Sequence, residues 1–123
     1  MLRRLILIFA LGGLGLAQQA VTLARIEADP NAYAGREVVL VGYLWSWFDP
    51  DMPAVCEGLP AAAGNLMRTR SDGSFCDGTR VAYLPPGQGV KVFGVIEKGR
   101  PVQLVARVRV GPEGWWLEPL SLR

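Results

Sequence analysis

The chain has 123 residues, enough for one domain and not two. It contains no histidine, so no Ser/His/Asp or Cys/His catalytic arrangement can be assembled and a zinc site lacks half its usual donor types. The formal charge of +2 comes from 13 basic and 11 acidic side chains; once Arg3 and Arg4 are set aside the rest is balanced, and charge alone gives no support for nucleic-acid binding.

Arg3 and Arg4 begin an N-terminal targeting pattern. They precede an uncharged apolar run, Leu5 to Leu16, which ends at Gly15-Leu16-Ala17 with small residues at the −3 and −1 positions. This is the signature of a cleavable secretory signal over residues 1–17. The run is too short for a bilayer core, which takes about 20 apolar residues, and a retained anchor is the other reading. Residues 18–123 then form the mature domain, placed outside the cytoplasm, in the periplasm or secreted. In that oxidising space the two cysteines, Cys56 and Cys76, read as one disulfide. No C-x-x-C pair is present to suggest redox chemistry.

Along the mature chain, residues 22–34 carry Leu23, Ile26 and Tyr33 at helical spacing, interrupted by Asp29-Pro30. The residue before proline avoids the α region, so a short helix, a turn and a further helical turn ending at Gly35 are predicted. The period changes to two at Glu37, and Val38–Trp47 reads as a strand with two apolar faces. Residues 48–65, with three prolines, read as a long loop pinned at Cys56. Strands follow at Leu66–Arg70, Thr79–Leu84 and Val90–Ile96, with a turn at Ser71-Asp72-Gly73. Val102, Leu104, Ala106, Val108 and Val110 alternate with Gln103, Val105, Arg107 and Arg109, as a half-buried strand should. Trp115–Leu122 is a last apolar strand, with Trp115 and Trp116 split, one buried and one at the rim.

Three stretches together resemble an OB-fold. Gly35–Leu44, with Gly42 mid-strand, looks like the first OB strand, where a glycine permits a sharp bend. Phe75–Tyr83 is similar to the hairpin with Asp-Gly-Thr at its corner, and Gly89–Ile96 to the fourth strand. The chain departs from that pattern in its long first loop, in Arg80 after Thr79, and in the short Pro85–Gln88 connection. The resemblance implies an all-β fold: a small five- to six-stranded OB-like Greek-key barrel with a short N-terminal helix. Its core would span residues 35–110, with an extra C-terminal strand at 115–122. Another small closed β-barrel is the alternative. The group it most resembles is that of small exported bacterial OB-domain proteins of the periplasm, and such barrels carry many unrelated binding functions.

The candidate ligand-binding residues fall in two sets. Trp45, Trp47 and Phe48 lie where the first strand meets the long loop, a region where OB barrels stack aromatics on ligands; packing under the loop is the plainer reading. Arg68, Arg70, Arg80, Arg107 and Arg109 could gather on one outward face and grip phosphate or carboxylate; ordinary solvated strand faces are the plainer reading here. Asp49 and Asp51 read as turn chemistry. No catalytic residue, metal ligand or cofactor pattern is identified, and the chain is read as a non-enzyme. The expected function is an exported binding or interaction module of the cell envelope, with an envelope protein or an anionic ligand as partner. The alternative is an OB domain binding an anionic polymer such as single-stranded nucleic acid.

Overall fold

Val38, Leu40 and Leu44 alternate with Val39, Val41, Tyr43 and Trp45, and this period of two makes the central strand of the molecule. The computed structural model describes residues 18–46, 52–66, 73–86 and 100–123. The strands are β1 (Gln18–Ala20), β2 (Glu37–Ser46), β3 (Gly73–Cys76), β4 (Val81–Leu84), β5 (Val102–Gly111) and β6 (Gly114–Leu122). One short helix, α1 (Leu23–Ala28), and a 3₁₀ turn at Pro30–Tyr33 lie between β1 and β2. The protein is therefore all-β with a short N-terminal helix, as expected. The predicted signal and the predicted strand Val90–Ile96 lie outside the described residues, as does most of the predicted strand Leu66–Arg70.

The sheet order is β4-β3-β2-β5-β6, antiparallel throughout, with β1 added in parallel to β2. β2 holds the sheet together because its ten residues serve three neighbours. Its residues 37–42 pair with β5, 37–39 also pair with β1, and 43–46 pair with β3. Gly42 sits at the changeover, where the Cys76 carbonyl and the Phe75 ring occupy the space that a side chain would need. The mid-strand glycine thus marks a close approach of two backbones.

Inward residues of all the longer strands meet in one core. Leu40, Phe75, Leu84, Leu104, Val108 and Leu117 are fully buried in it. Each such side chain contributes about 2 kcal/mol by leaving water. Leu23 and Ile26 of α1 enter the same core, so the helix covers an apolar surface of the sheet. The predicted alternation in β5 holds from Ala106 onward, with Ala106 and Val108 buried and Arg107 and Arg109 outward, but it breaks at Val105, which is expected outward and is instead buried between buried Leu104 and Ala106. Trp115 is buried and Trp116 half-buried, split as expected. Pro119 cannot donate to the ladder, and it falls where the β5–β6 register slips, leaving Leu120 exposed.

Residues 60–65, predicted as loop, and Leu66, predicted to start a strand, are tied on both sides. The Val81 N–H donates to the Pro60 carbonyl and the Ala62 N–H to the Val81 carbonyl, at 2.9 and 2.8 Å. The Trp115 N–H donates to the Gly64 carbonyl and the Leu66 N–H to the Trp115 carbonyl, at 2.9 and 2.8 Å. The segment therefore connects the two outer strands, β4 and β6. The Trp115 indole N–H adds a bond to the Ala63 carbonyl.

Two predicted boundaries shift. Gly73 is not part of a turn but the first residue of β3. Thr79 and Arg80 do not begin a strand; they belong to the β3–β4 turn, because the Asp77 carboxylate captures the N–H groups of both.

Candidate functional site

The outer face of β2, β3 and β4 carries a second apolar cluster, separate from the core. Strand register sets it out in two cross-strand rows. Tyr43, Cys76 and Val81 form one; Trp45, Ser74 and Tyr83 form the other. Cys76 is bonded to Cys56, with their Cα atoms 5.8 Å apart, which bears out the expected disulfide. The bond brings the 3₁₀ turn Ala54–Cys56 and Leu59 down on this face. Cys56, Cys76 and Val81 are buried there, while Tyr43, Trp45, Leu59 and Tyr83 stay half-buried around them. Trp45 and Tyr83 flank Ser74 from the two neighbouring strands. At about 4.8 Å per strand, their backbones stand roughly 10 Å apart, and the small hydroxyl side chain lies between them.

A disulfide of this span stabilises chiefly by restricting the unfolded chain. Replacing both cysteines with serine is expected to lower unfolding free energy by about 3 kcal/mol in a urea titration. Free-thiol labelling of the denatured, unreduced protein should find no reactive sulfur. A variant as stable as the parent would show that the turn at Ala54–Cys56 is held by packing alone.

The arginines are distributed differently from the aromatics. Arg107 of β5 donates to Glu37 of β2 at 2.7 Å, directly across the strand pair. Arg109 pairs with Glu118 of β6 at 2.8 Å. Arg80 donates through Nε to Glu27 of α1 at 2.9 Å and through Nη1 to the Thr79 carbonyl at 2.7 Å. Glu27 also accepts from the Ala63 N–H at 2.7 Å, so Arg80 belongs to a link between helix, turn and loop. β2 separates β5 from the β3–β4 hairpin, and Arg80 therefore does not share a strand neighbourhood with Arg107 and Arg109. Arg68, Arg70, Trp47 and Phe48 lie outside the described residues.

Reading along the sequence did not single out Tyr43 or Tyr83. Both were within reach: they fall on the outward parity of strands that were predicted, and Tyr43 shares that parity with Trp45. The acidic partners were missed as well, although counting back from the Gly111–Gly114 turn sets Glu118 opposite Arg107. Among the described residues no group of three or more His, Cys, Asp or Glu side chains could hold a metal ion. No helix among them is long and apolar enough to cross a membrane. Comparison with family models, curated proteins and solved structures returned no match.

Proposed function

We propose that the chain is an exported, non-catalytic binding domain of the cell envelope, built on an OB-type barrel, that engages its partner through the outer face of β2, β3 and β4. The observation that carries this reading is the half-buried aromatic pair Trp45 and Tyr83 around Ser74, on a face stapled by a disulfide. Aromatic side chains supply large contact area at little conformational cost, and a stapled face is organised before its partner arrives. The disulfide fits an oxidising compartment, and barrel closure is supported by the bonds that residues 60–66 make to Val81 and Trp115. The polyanion alternative draws less support, because Arg80, Arg107 and Arg109 are each neutralised by a carboxylate. Counterion release requires cations free to meet phosphates.

Two measurements test the proposal. Mass spectrometry of the exported protein should find an N-terminus at Gln18, and intact Met1 on a membrane-bound form would overturn cleavage. A photo-crosslinking amino acid in place of Trp45, in living cells, should give a discrete adduct that the same probe at exposed Leu120 does not. Identical adducts from both positions, or none from either, would overturn the binding face.

A further inference from the structure

β1 and β3 both lie against the same edge of β2, and they do not meet. β1 ends at Ala20, opposite Val39, and β3 ends at Cys76, opposite Tyr43. The Leu23 N–H donates to Asp77 at 2.6 Å, which brings the chain after β1 beside the chain after β3. Between them opens a groove of about 510 Å³, with Val39 and Val41 on its floor, Ala20, Val21 and Thr22 along one wall, and Arg25 and Asp77 at its rim. The groove is an open depression of the surface and not an enclosed cavity. Val41 is 55% exposed there, among the most exposed large apolar side chains described.

Among the described arginines, Arg25 sets the groove apart. Arg80, Arg107 and Arg109 are each paired with a carboxylate. Arg25 is exposed and its guanidinium has no ion pair among the described residues; only its backbone N–H is bonded, to Thr22. Asp77 does not serve as its partner. Oδ1 of Asp77 accepts from the Thr79 N–H, the Thr79 hydroxyl and the Arg80 N–H, and Oδ2 accepts from the Leu23 N–H. Its charge nonetheless remains at the groove. The Asp77 oxygens are occupied by donors of the turn and of α1, so Arg25 is the group left to meet a negative head, and the neighbouring carboxylate disfavours a dianion or polyanion. The valine floor asks for an apolar body.

We propose that this groove binds an amphiphilic monoanion, an alkyl carboxylate whose chain lies over Val39 and Val41 and whose head is held by Arg25. The groove lies further along the same outward side of β2 as Trp45, but its lining includes neither Trp45 nor Tyr83, so the two readings are tested at different residues.

Isothermal titration of the protein with decanoate should show saturable one-site binding. Arg25→Gln should weaken it at least about tenfold, the loss of a charge-assisted hydrogen bond. Val41→Glu should remove it, by setting a charge on the apolar floor. Leu120→Ser, exposed on β6 and outside the groove, should leave it unchanged, and decanol should bind wild type weakly and be indifferent to Arg25→Gln. Circular dichroism of each variant reports folding, and because Arg25 is exposed its variant tests the site without disturbing the core. No binding of decanoate to the wild type at millimolar concentration would overturn the proposal, as would equal binding by Arg25→Gln. If sedimentation shows a dimer that Val41→Glu dissociates and decanoate does not, a second copy of the chain is the occupant and the carboxylate site is wrong.

Discussion

Gly42→Val is expected to prevent stable folding, with a loss of at least about 4 kcal/mol in unfolding free energy. The cause is space rather than backbone conformation. A Cβ at this position would overlap the Cys76 carbonyl oxygen and come within 2.8 Å of the Phe75 ring. Neither can give way cheaply. Cys76 is held by the disulfide and by pairing with both Tyr43 and Val81, and Phe75 is fully buried in the core. Relief requires β3 to withdraw from β2, which breaks the outer cluster and the core together. Gly42→Ala meets the same carbonyl and is expected to cost about 3 kcal/mol. Urea denaturation followed by tryptophan fluorescence measures both. An alanine variant within 0.5 kcal/mol of wild type (about the scatter of a neutral surface change) would show that the two backbones separate freely here.

What was legible in the sequence was local. The alternation of Val102 to Val110 repeats every second residue and needs no knowledge of partners, so β5 and its outward arginines could be read directly. The Asp-Gly corner was legible for the same reason: Gly78 adopts φ +90 there, which glycine tolerates. The consequences of that corner were not legible. Reading Thr79 as the start of a strand placed Arg80 on a sheet face, whereas the Asp77 carboxylate holds Thr79 and Arg80 in the turn and turns Arg80 toward Glu27. The ion pairs of Arg107 and Arg109 depend on register across three strands, and register is a long-range property. Pro60 to Leu66 shows little periodicity because its hydrogen bonds go to Val81 and Trp115 instead of to one regular partner strand. The aromatic site was half legible. Trp45 announced itself by size, but Tyr83 joins it only through Ser74, and that pairing is set by the β3–β4 hairpin.

Asp77→Ala should lower stability by about 4 kcal/mol, because one carboxylate organises both the β3–β4 turn and the start of α1. Its two oxygens accept four bonds: from the Thr79 N–H at 2.9 Å, the Thr79 hydroxyl at 2.6 Å, the Arg80 N–H at 3.3 Å and the Leu23 N–H at 2.6 Å. Thr79 in turn accepts from the Ala24 N–H at 3.2 Å, and Thr22 from the Arg25 N–H. The first three N–H groups of α1 thus each have a side-chain acceptor, two of them supplied from across the molecule. A six-residue helix cannot hold itself together in water, so α1 owes its existence to this anchoring and to the burial of Leu23 and Ile26. Removing the carboxylate leaves the N–H groups of Leu23, Thr79 and Arg80 without these bonds, and each buried donor left unpaired costs about 1–3 kcal/mol. Asp77→Asn keeps an acceptor and should lose about half as much. Thr79→Val removes the Ala24 acceptor and the hydroxyl donor together, and should couple to Asp77→Ala in a double-mutant cycle by at least about 0.5 kcal/mol. Amide hydrogen exchange separates the two levels of damage. In Asp77→Ala the Leu23 and Ala24 amides should exchange faster than those of Leu40 and Leu104, as the helix opens before the sheet. Uniform acceleration across all four amides would mean that α1 and the sheet unfold as one unit, and a loss below 1 kcal/mol would mean that packing of Leu23 and Ile26 holds the helix without Asp77.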